Sequence, residues 1–225
     1  MGQPAAGSME SLYPFLYSGT TDLDAVLEQV RQSTVAKAAE ITELRRVIGA
    51  RDGARLAACA ADAAARFAAG GRLLAFGNGG SATDAQQLAA LFLNPGGTAR
   101  PLPALGLASD ISVVTALCND IGVDVVFARQ IAALGRRDDI AVGLSTSGNS
   151  DNLLRAFDEA SRRGLLTVGL AGYEGGKMAE LDSIDYLFVA PSSSVHRIQE
   201  AQTTVYHVLW ELIQRSLARS GEVRR

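Results

Sequence analysis

The sequence predicts an α/β fold in which helices cover both faces of one parallel sheet of about five strands, with a helical extension at the N-terminus. Three observations lead to this prediction. From residue 72 onward, short apolar runs alternate with helical patterns. The apolar runs lack polar alternation, which is typical of strands that are buried on both faces. The repeated strand–helix–strand order favours parallel pairing with helices packed on the sheet.

The N-terminal region is predicted to contain a poorly specified extension, residues 1–20, and a helix over residues 21–50 that serves oligomerisation. Thr21 and Asp22 open the helix, and apolar side chains then recur at steps of three and four residues. The extension carries an apolar cluster around Pro14, which we expect to dock on another surface or on a neighbouring subunit. The members of this cluster are Leu12, Tyr13, Phe15, Leu16 and Tyr17.

Residues 51–225 are predicted to form the α/β domain. An Ala-rich helix fits residues 54–69, and Gly70-Gly71 ends it. The apolar runs predicted as strands cover residues 73–76, 104–107, 140–144, 166–170 and 186–189. The helical patterns that follow cover residues 82–93, 123–134, 152–163 and, as the last and longest, 195–217.

Composition and charge argue against several classes of protein. The net charge of −3 provides no basic surface for DNA or RNA, so we predict no direct nucleic-acid binding. Every apolar run is shorter than the roughly 18 residues that a membrane-spanning helix needs. Cys59 and Cys118 lie in apolar stretches without a CxxC spacing, which favours a reducing compartment. The start of the chain does not resemble a signal peptide, so we expect a cytoplasmic protein.

Two of the predicted strands end in loops whose residue types suit an anion. The loops are GNGGS at 77–81 and STSGNS at 145–150, and each directly precedes a predicted helix. Glycines let backbone N–H groups approach an anion closely, and a helix N-terminus adds unpaired donors and a favourable dipole. Serine and threonine hydroxyls add neutral donors, so these loops could bind a phosphate ester without Arg or Lys. The alternative is that these residues only form turns and helix caps.

Five blocks of the sequence, taken together, resemble the phosphoheptose isomerases, a family of SIS (sugar isomerase) domain proteins. The blocks are GNGGSATDAQ at 77–86, LCNDIG at 117–122, LSTSGNS at 144–150, GYEGGKMAEL at 172–181 and HRIQEAQTTVYH at 196–207. They also resemble the DnaA initiator-associating protein, a sister group with the same fold and no established isomerase role. The resemblance runs from about residue 35 to residue 217. It implies the SIS-type three-layer fold around a five-stranded parallel sheet.

The resemblance also implies a binding site for a phosphorylated sugar, either sedoheptulose 7-phosphate or a similar compound. The phosphate contacts of the family fall on Ser145, Thr146, Ser147 and Ser150. Its sugar-side contacts fall on Asn78, Gly79, Gly80, Ser81, Asn119, Asp120 and Gln199. Members of the family are typically homotetramers whose sites are completed by a neighbouring subunit. The resemblance therefore implies a homotetramer, while any other protein partner is unknown.

The sequence departs from the family at the residues that carry the chemistry. The enzymes place a His and a Glu four residues apart on the helix after GNGGS, with a Gln and a His on the last helix, and several members hold zinc with this set. In this chain the first pair is Gln87 and Leu91, while Gln199 and His207 are retained. Leucine neither exchanges protons nor binds metal, and zinc sites usually have at least three protein ligands. We therefore expect no zinc and no other cofactor.

Three functions are compatible with this sequence. The first is a phosphosugar-binding protein that does no chemistry. The second is an active aldose–ketose isomerase with a rearranged site, in which His207 or Glu200 acts as the base, with Asp120 and His196 as further candidates. The third is a protein-interaction module like the DnaA initiator-associating protein.

Overall fold

The computed structural model describes the backbone of residues 23–222 and the side chains of residues 23–219. The predicted extension at residues 1–20, with its apolar cluster, lies outside the described residues, as do Thr21 and Asp22.

The described part of the chain contains six helices, five strands and two short 3-10 turns. The helices are α1 (Leu23–Ala68), α2 (Gly80–Leu93), α3 (Ile111–Asp120), α4 (Val126–Leu134), α5 (Asp151–Arg162) and α6 (Val195–Glu222). The strands are β1 (Leu73–Gly77), β2 (Ala104–Gly106), β3 (Ile140–Leu144), β4 (Leu166–Gly172) and β5 (Tyr186–Ala190). The 3-10 turns are Val123–Val125 and Gly176–Glu180.

The five strands form one parallel sheet in the order β2-β1-β3-β4-β5. After β1 the chain adds β2 on one side, and it then returns to add β3 on the other side. The strands β1 and β3 are therefore neighbours, paired from Leu73↔Ile140 to Gly77↔Leu144. In open parallel sheets, ligands bind outside the carboxyl ends of the strands at such a reversal of direction.

The core lies on both faces of this sheet, since β1, β3 and β4 are buried at every position. Leu73 and Ala75 of β1 pack with residues of α1, α2 and α6 on one face. Leu74 and Phe76 pack with residues of α4 and α5 on the other face. This alternation confirms the predicted three-layer α/β architecture and places the carboxyl ends of β1 and β3 between two layers of helices.

The two N-terminal helices predicted over residues 21–50 and 54–69 are one continuous helix, α1, of 46 residues. Its buried positions continue at three- and four-residue steps through the predicted break, at Ile41, Leu44, Ile48, Asp52 and Leu56. Gly49 and Gly53 lie within this stretch but face open space. Packing on both sides of the glycines outweighs their low helix propensity, about 1 kcal/mol each.

The chain divides into two compact units, the first ending at Glu40 and the second beginning at Ile41. All residues from 23 to 40 are exposed. The domain boundary predicted between residues 50 and 51 stays a prediction. Within residues 23–222, no helix is both long enough and apolar enough to cross a membrane.

Helix α3 was not predicted from the sequence. None of its ten residues is fully buried, although Val114, Leu117 and Cys118 pack against the core at one face of the sheet. Its N-terminus is capped by the Asp110 side chain, which accepts from the backbone N–H groups of Ser112 and Val113. The predicted helix at 123–134 begins as a 3-10 turn and becomes α-helical at Val126.

Candidate functional site

The two anion-type loops lie side by side because they follow neighbouring strands whose last paired residues are Gly77 and Leu144. The first loop leads into α2 through Gly79, and the second leads into α5 through Ser150. Neither of these two residues makes a side-chain capping hydrogen bond. Both helices therefore begin with backbone N–H groups that no capping side chain occupies, which is the arrangement that anion sites use.

The second loop, residues 145–150, is folded so that its hydroxyl groups keep their hydrogens available. The buried Ser145 hydroxyl accepts from the Gly148 N–H at 3.0 Å, and the Ser147 hydroxyl accepts from the Asn149 N–H at 3.3 Å. A hydroxyl that accepts one bond still has its own hydrogen to donate. The loop can therefore offer O–H donors to an oxyanion while it keeps its internal hydrogen bonds.

Neighbouring elements hold this loop from two sides. The buried Gln202 of α6 donates to the Ser145 carbonyl oxygen at 3.0 Å, and the Asn149 side chain accepts from the Lys177 N–H at 2.9 Å. Gly148 has a φ of 69°, and a side chain there would overlap the carbonyl oxygen of Gly175. Residues 145–150 carry no charge, so any phosphate binding rests on neutral donors.

The first loop is joined to the second by a pair of amide side chains. The Asn78 amide nitrogen donates to the Asn152 amide oxygen at 2.9 Å, and the Asn152 amide nitrogen donates back at 2.9 Å. Asn78 is exposed, while Asn152, the second residue of α5, is buried. Sequence reasoning identified Asn78 but missed Asn152.

On the sugar side of the candidate site, α2 and α6 meet through Gln199. Its amide nitrogen donates to the Asp84 carboxylate at 3.2 Å. The same nitrogen lies against Gly80, where a Cβ atom would be only 2.5 Å away. Burial raises the pKa of Asp84, and the hydrogen bond from Gln199 opposes that rise. Asp84 was missed by sequence reasoning, although it is the one ionisable residue in GNGGSATDAQQLAALFL at 77–93.

Gln87 and Leu91, at which the resemblance implies a His and a Glu, lie one and two turns beyond Asp84 along α2. The Gln87 amide oxygen accepts from the Tyr206 hydroxyl at 3.5 Å, and burial raises the pKa of Tyr206. Leu91 is half-buried and packs against the core. His207 is exposed, and its ring stacks on that of Tyr206 with 5.1 Å between the ring centroids. The region thus contains amides, a phenol and one imidazole.

The other predicted candidates are exposed or are engaged by neighbouring side chains. The Glu200 carboxylate accepts from the Arg197 guanidinium at 2.5 Å, and His196 is exposed. Asn119 and Asp120 are exposed at the end of α3, where the Asn119 amide donates to the Asp120 carboxylate at 3.0 Å. In the part of the chain with described side chains, no group of three or more His, Cys, Asp or Glu residues is placed to hold a metal ion.

An open cleft of about 700 Å³ lies beside the second loop. It is lined by Ser147, Asn149, Tyr173, Glu174, Gly176, Pro191, Ser192 and Ser193. Its volume is within the range of small-molecule sites, and its lining includes three serines, one asparagine, one glutamate and one tyrosine.

Comparison with known proteins links this arrangement to one family. The model of the SIS domain family matches residues 38–172. The phosphoheptose isomerase of Desulfovibrio desulfuricans is 48% identical over 176 residues, which cover 72% of this chain and 83% of that relative. The phosphoheptose isomerase of Thermodesulfovibrio yellowstonii is 44% identical over 146 residues, 64% of this chain and 72% of that relative.

A solved structure has the same fold. The phosphoheptose isomerase of Neisseria gonorrhoeae superposes with a TM-score of 0.73 at 35% identity, and the match covers 82% of this chain and 98% of that one.

Proposed function

Because this chain belongs to the SIS-domain family, and within it to the phosphoheptose isomerase family, we propose that it binds sedoheptulose 7-phosphate or a similar phosphosugar without isomerising it. The observation that carries this proposal is the pair of helix N-termini without capping side chains at the junction of β1 and β3, one of them preceded by a hydroxyl-lined loop. In this proposal the phosphate group is bound by Ser145, Thr146, Ser147 and Ser150.

The phosphate end has the donors that it needs. The hydroxyls of Ser145 and Ser147 accept from their own loop and keep hydrogens to donate. Ser150 leaves the N-terminus of α5 open, and the helix dipole there favours an anion. A dianionic phosphate can therefore be bound by backbone and hydroxyl donors alone.

At the proposed reaction end, where α2 and α6 meet, the side chains do not suit isomerisation. Isomerisation moves a proton between adjacent carbons and needs a positioned base. Leu91 supplies none where the family enzymes have a Glu. Of the two substitutes, the Glu200 carboxylate accepts from the Arg197 guanidinium, and the exposed His207 stacks its ring on that of Tyr206.

The donor set also does not fit zinc, so we propose that the chain needs no metal. Leu91 has no ligand atom, and the remaining donors at the four corresponding positions are the amides of Gln87 and Gln199 and the imidazole of His207. Zinc sites in proteins are built from thiolates, imidazoles and carboxylates, with at least three of them even in open sites.

A neighbouring copy of the chain is proposed to complete the sugar side. None of the residues of α3 is buried, and Ile111 and Ile121 are exposed by 68% and 51%. This helix carries Asn119 and Asp120, two of the proposed sugar contacts. A homotetramer that covers α3 would bury its apolar side chains, and light scattering should then give about four times the chain mass of 23.6 kDa.

An active isomerase is the second candidate. It is favoured by the 48% identity with a phosphoheptose isomerase and by the retained Gln199 and His207. In that case His207 or Glu200 would act as the base. The protein-interaction hypothesis stays a prediction.

Calorimetry with sedoheptulose 7-phosphate tests the proposed binding. Ser150→Leu should raise the dissociation constant at least roughly thirtyfold, because it removes a hydroxyl donor and fills the entrance to α5. Ser161→Leu, an exposed serine at the other end of the same helix, is the matched control and should change the constant less than about twofold. A natural chain that binds no sugar phosphate would reject the proposal.

Proton exchange in heavy water distinguishes the two candidates. An isomerase incorporates solvent deuterium into sedoheptulose 7-phosphate through its enediol, whereas a binding protein does not. Deuterium incorporation that depends on the chain and is lost in His207→Ala would establish the second candidate.

A further inference from the structure

The amide pair between Asn78 and Asn152 spans the space between the two loops of the site. Gly77 and Leu144 are the last residues paired between β1 and β3, so the sheet no longer aligns the chain beyond them. The next link is the pair of 2.9 Å hydrogen bonds between the two side chains. One partner belongs to the first loop, and the other begins the helix that follows the second loop.

Reciprocal amide pairing fixes the orientation of both groups. Each amide uses one N–H and one oxygen lone pair in the pair, and each keeps a second N–H and further lone-pair capacity. If one amide alone turned over, oxygen would face oxygen and nitrogen would face nitrogen, so both bonds would be lost. Asn152 is 6% exposed, and the packing around it limits such rotation. The exposed Asn78 is thus oriented by a buried partner.

The fixed orientation of Asn78 matters for binding because it limits the rotation of this side chain before a ligand arrives. An exposed Asn on a glycine-rich loop would otherwise sample several rotamers, and ordering it on binding costs free energy. With Asn152 in place, the free N–H and oxygen of Asn78 point in one direction before any ligand arrives.

We propose that Asn152 is a positioning residue that orients Asn78 and fixes the distance between the sugar-side loop and the phosphate loop. This inference rests on the proposed function, because it assigns Asn78 to the sugar and residues 145–150 to the phosphate. Asn152 does not contact the ligand in this proposal. It selects ligands in which a sugar hydroxyl lies at the matching distance from the phosphate group.

The affinities for two ligands distinguish a positioning role of Asn152 from general support of the phosphate loop. Sedoheptulose 7-phosphate engages both loops, whereas inorganic phosphate engages residues 145–150 alone. Asn152→Leu removes both hydrogen bonds with little change in size. We expect it to weaken sedoheptulose 7-phosphate about tenfold and inorganic phosphate less than about twofold, since the phosphate loop keeps its own hydrogen bonds.

The matched control is Asn149→Leu, the same substitution three residues earlier, in the phosphate loop itself. The Asn149 side chain accepts from the Lys177 N–H and has no hydrogen bond with Asn78 in the described structure. It should change the affinities for the two ligands by the same factor. Asn152→Ser, which suits the first turn of a helix but is too short to pair with Asn78, should also weaken sedoheptulose 7-phosphate much more than inorganic phosphate. It serves as the test variant if an apolar side chain at this position impairs folding.

A double-mutant cycle tests whether Asn152 acts through Asn78. Asn152→Leu should have no further effect on sugar-phosphate affinity in a chain that already carries Asn78→Leu. Equal weakening of both ligands by the Asn152 variants, additive effects in the cycle, or an unchanged sugar-phosphate affinity would each overturn the inference and leave the proposed function standing. A natural chain that binds inorganic phosphate but no sugar phosphate would overturn both.

Discussion

The proposed phosphate end and the proposed reaction end of the site are built in different ways. At the phosphate end, residues 145–150 use backbone N–H groups and hydroxyls that β3 and α5 place at the edge of the sheet. At the reaction end, α2 and α6 meet through side chains such as Gln87, Gln199 and Tyr206. The first region follows from the path of the backbone, whereas the second depends on a few side chains.

This difference explains how binding and chemistry can be separated in one fold. A helix N-terminus persists as long as the strand and the helix persist, so the phosphate end is maintained by the same contacts that stabilise the core. A carboxylate on α2 makes no comparable contribution to folding. Leu91 packs against the core where a Glu would have to be hydrated or paired. A leucine at position 91 is therefore compatible with the fold.

Restoring the reaction end is the change with the largest expected effect. The double variant Gln87→His with Leu91→Glu recreates the pair that the family enzymes carry, beside the retained Gln199 and His207. A positioned acid or base contributes about 10²- to 10⁴-fold, so deuterium exchange into sedoheptulose 7-phosphate should rise at least a hundredfold over the natural chain.

The single variants are the controls for this experiment. Leu91→Glu alone should gain much less, because the imidazole at position 87 is missing. Added zinc should increase the rate of the double variant and leave the natural chain unchanged. A double variant that binds the sugar phosphate but exchanges no proton would show that the reaction end differs from the family in more than these two side chains.

Disrupting the phosphate end should have the next largest effect. Gly148→Ala places a Cβ against the Gly175 carbonyl and forces a residue with a side chain to adopt a φ of 69°. The backbone strain costs about 1 to 2 kcal/mol, and the overlap adds to it. We expect a loss of about 3 kcal/mol in the free energy of unfolding and at least a thirtyfold weaker affinity for sugar phosphate, as measured by urea denaturation and calorimetry.

Gly97→Ala is the matched control for the glycine variant. Gly97 has a φ of 55°, but nothing lies within 4 Å of a Cβ atom built there. It should show the cost of the backbone strain alone, about 1 kcal/mol, with unchanged affinity. Equal effects of the two variants on affinity would contradict the assignment of residues 145–150 to the phosphate.

The sequence was sufficient to predict the sheet and its loops because their signals are local. Apolar runs without polar alternation gave the five strands, and GNGGS and STSGNS gave the two strand ends. The predicted division into two N-terminal helices was wrong because core packing continues on both sides of Gly49 and Gly53. Helix α3 was missed because its core-facing stripe is short: only Val114, Leu117 and Cys118 pack against the core, and none of its ten residues is fully buried.

The side chains that join the site were harder to predict because they are long-range pairs. Asn152 and Asn78 are 74 positions apart, and Gln199 and Asp84 are 115 apart. No spacing rule connects such residues before the order of the strands and the packing of α6 on α2 are known. Asp84 did carry a local signal, as an isolated charge in a neutral segment.

Removing the charge of Asp84 should have the smallest effect of these changes. It also tests how much of the affinity for sugar phosphate comes from the sugar side of the site. The pKa of Asp84 is raised in the folded chain by burial. The folded state therefore holds the proton to a higher pH than the unfolded state does, and stability is lost as the pH rises from the ordinary pKa of Asp through the raised value. Asp84→Asn removes this loss and keeps an oxygen that can accept from Gln199.

Thermal unfolding of Asp84→Asn should consequently give a slightly higher Tm than the natural chain at pH 7 and the same Tm at a pH below the ordinary pKa of Asp. Asp182→Asn, at an exposed position, should leave the Tm unchanged at both values of pH. Because the phosphate end supplies most of the binding in our proposal, Asp84→Asn should change the affinity for sedoheptulose 7-phosphate less than about threefold. A much larger loss of affinity would mean that the sugar side, through Asp84 and Gln199, carries binding that we have assigned to residues 145–150.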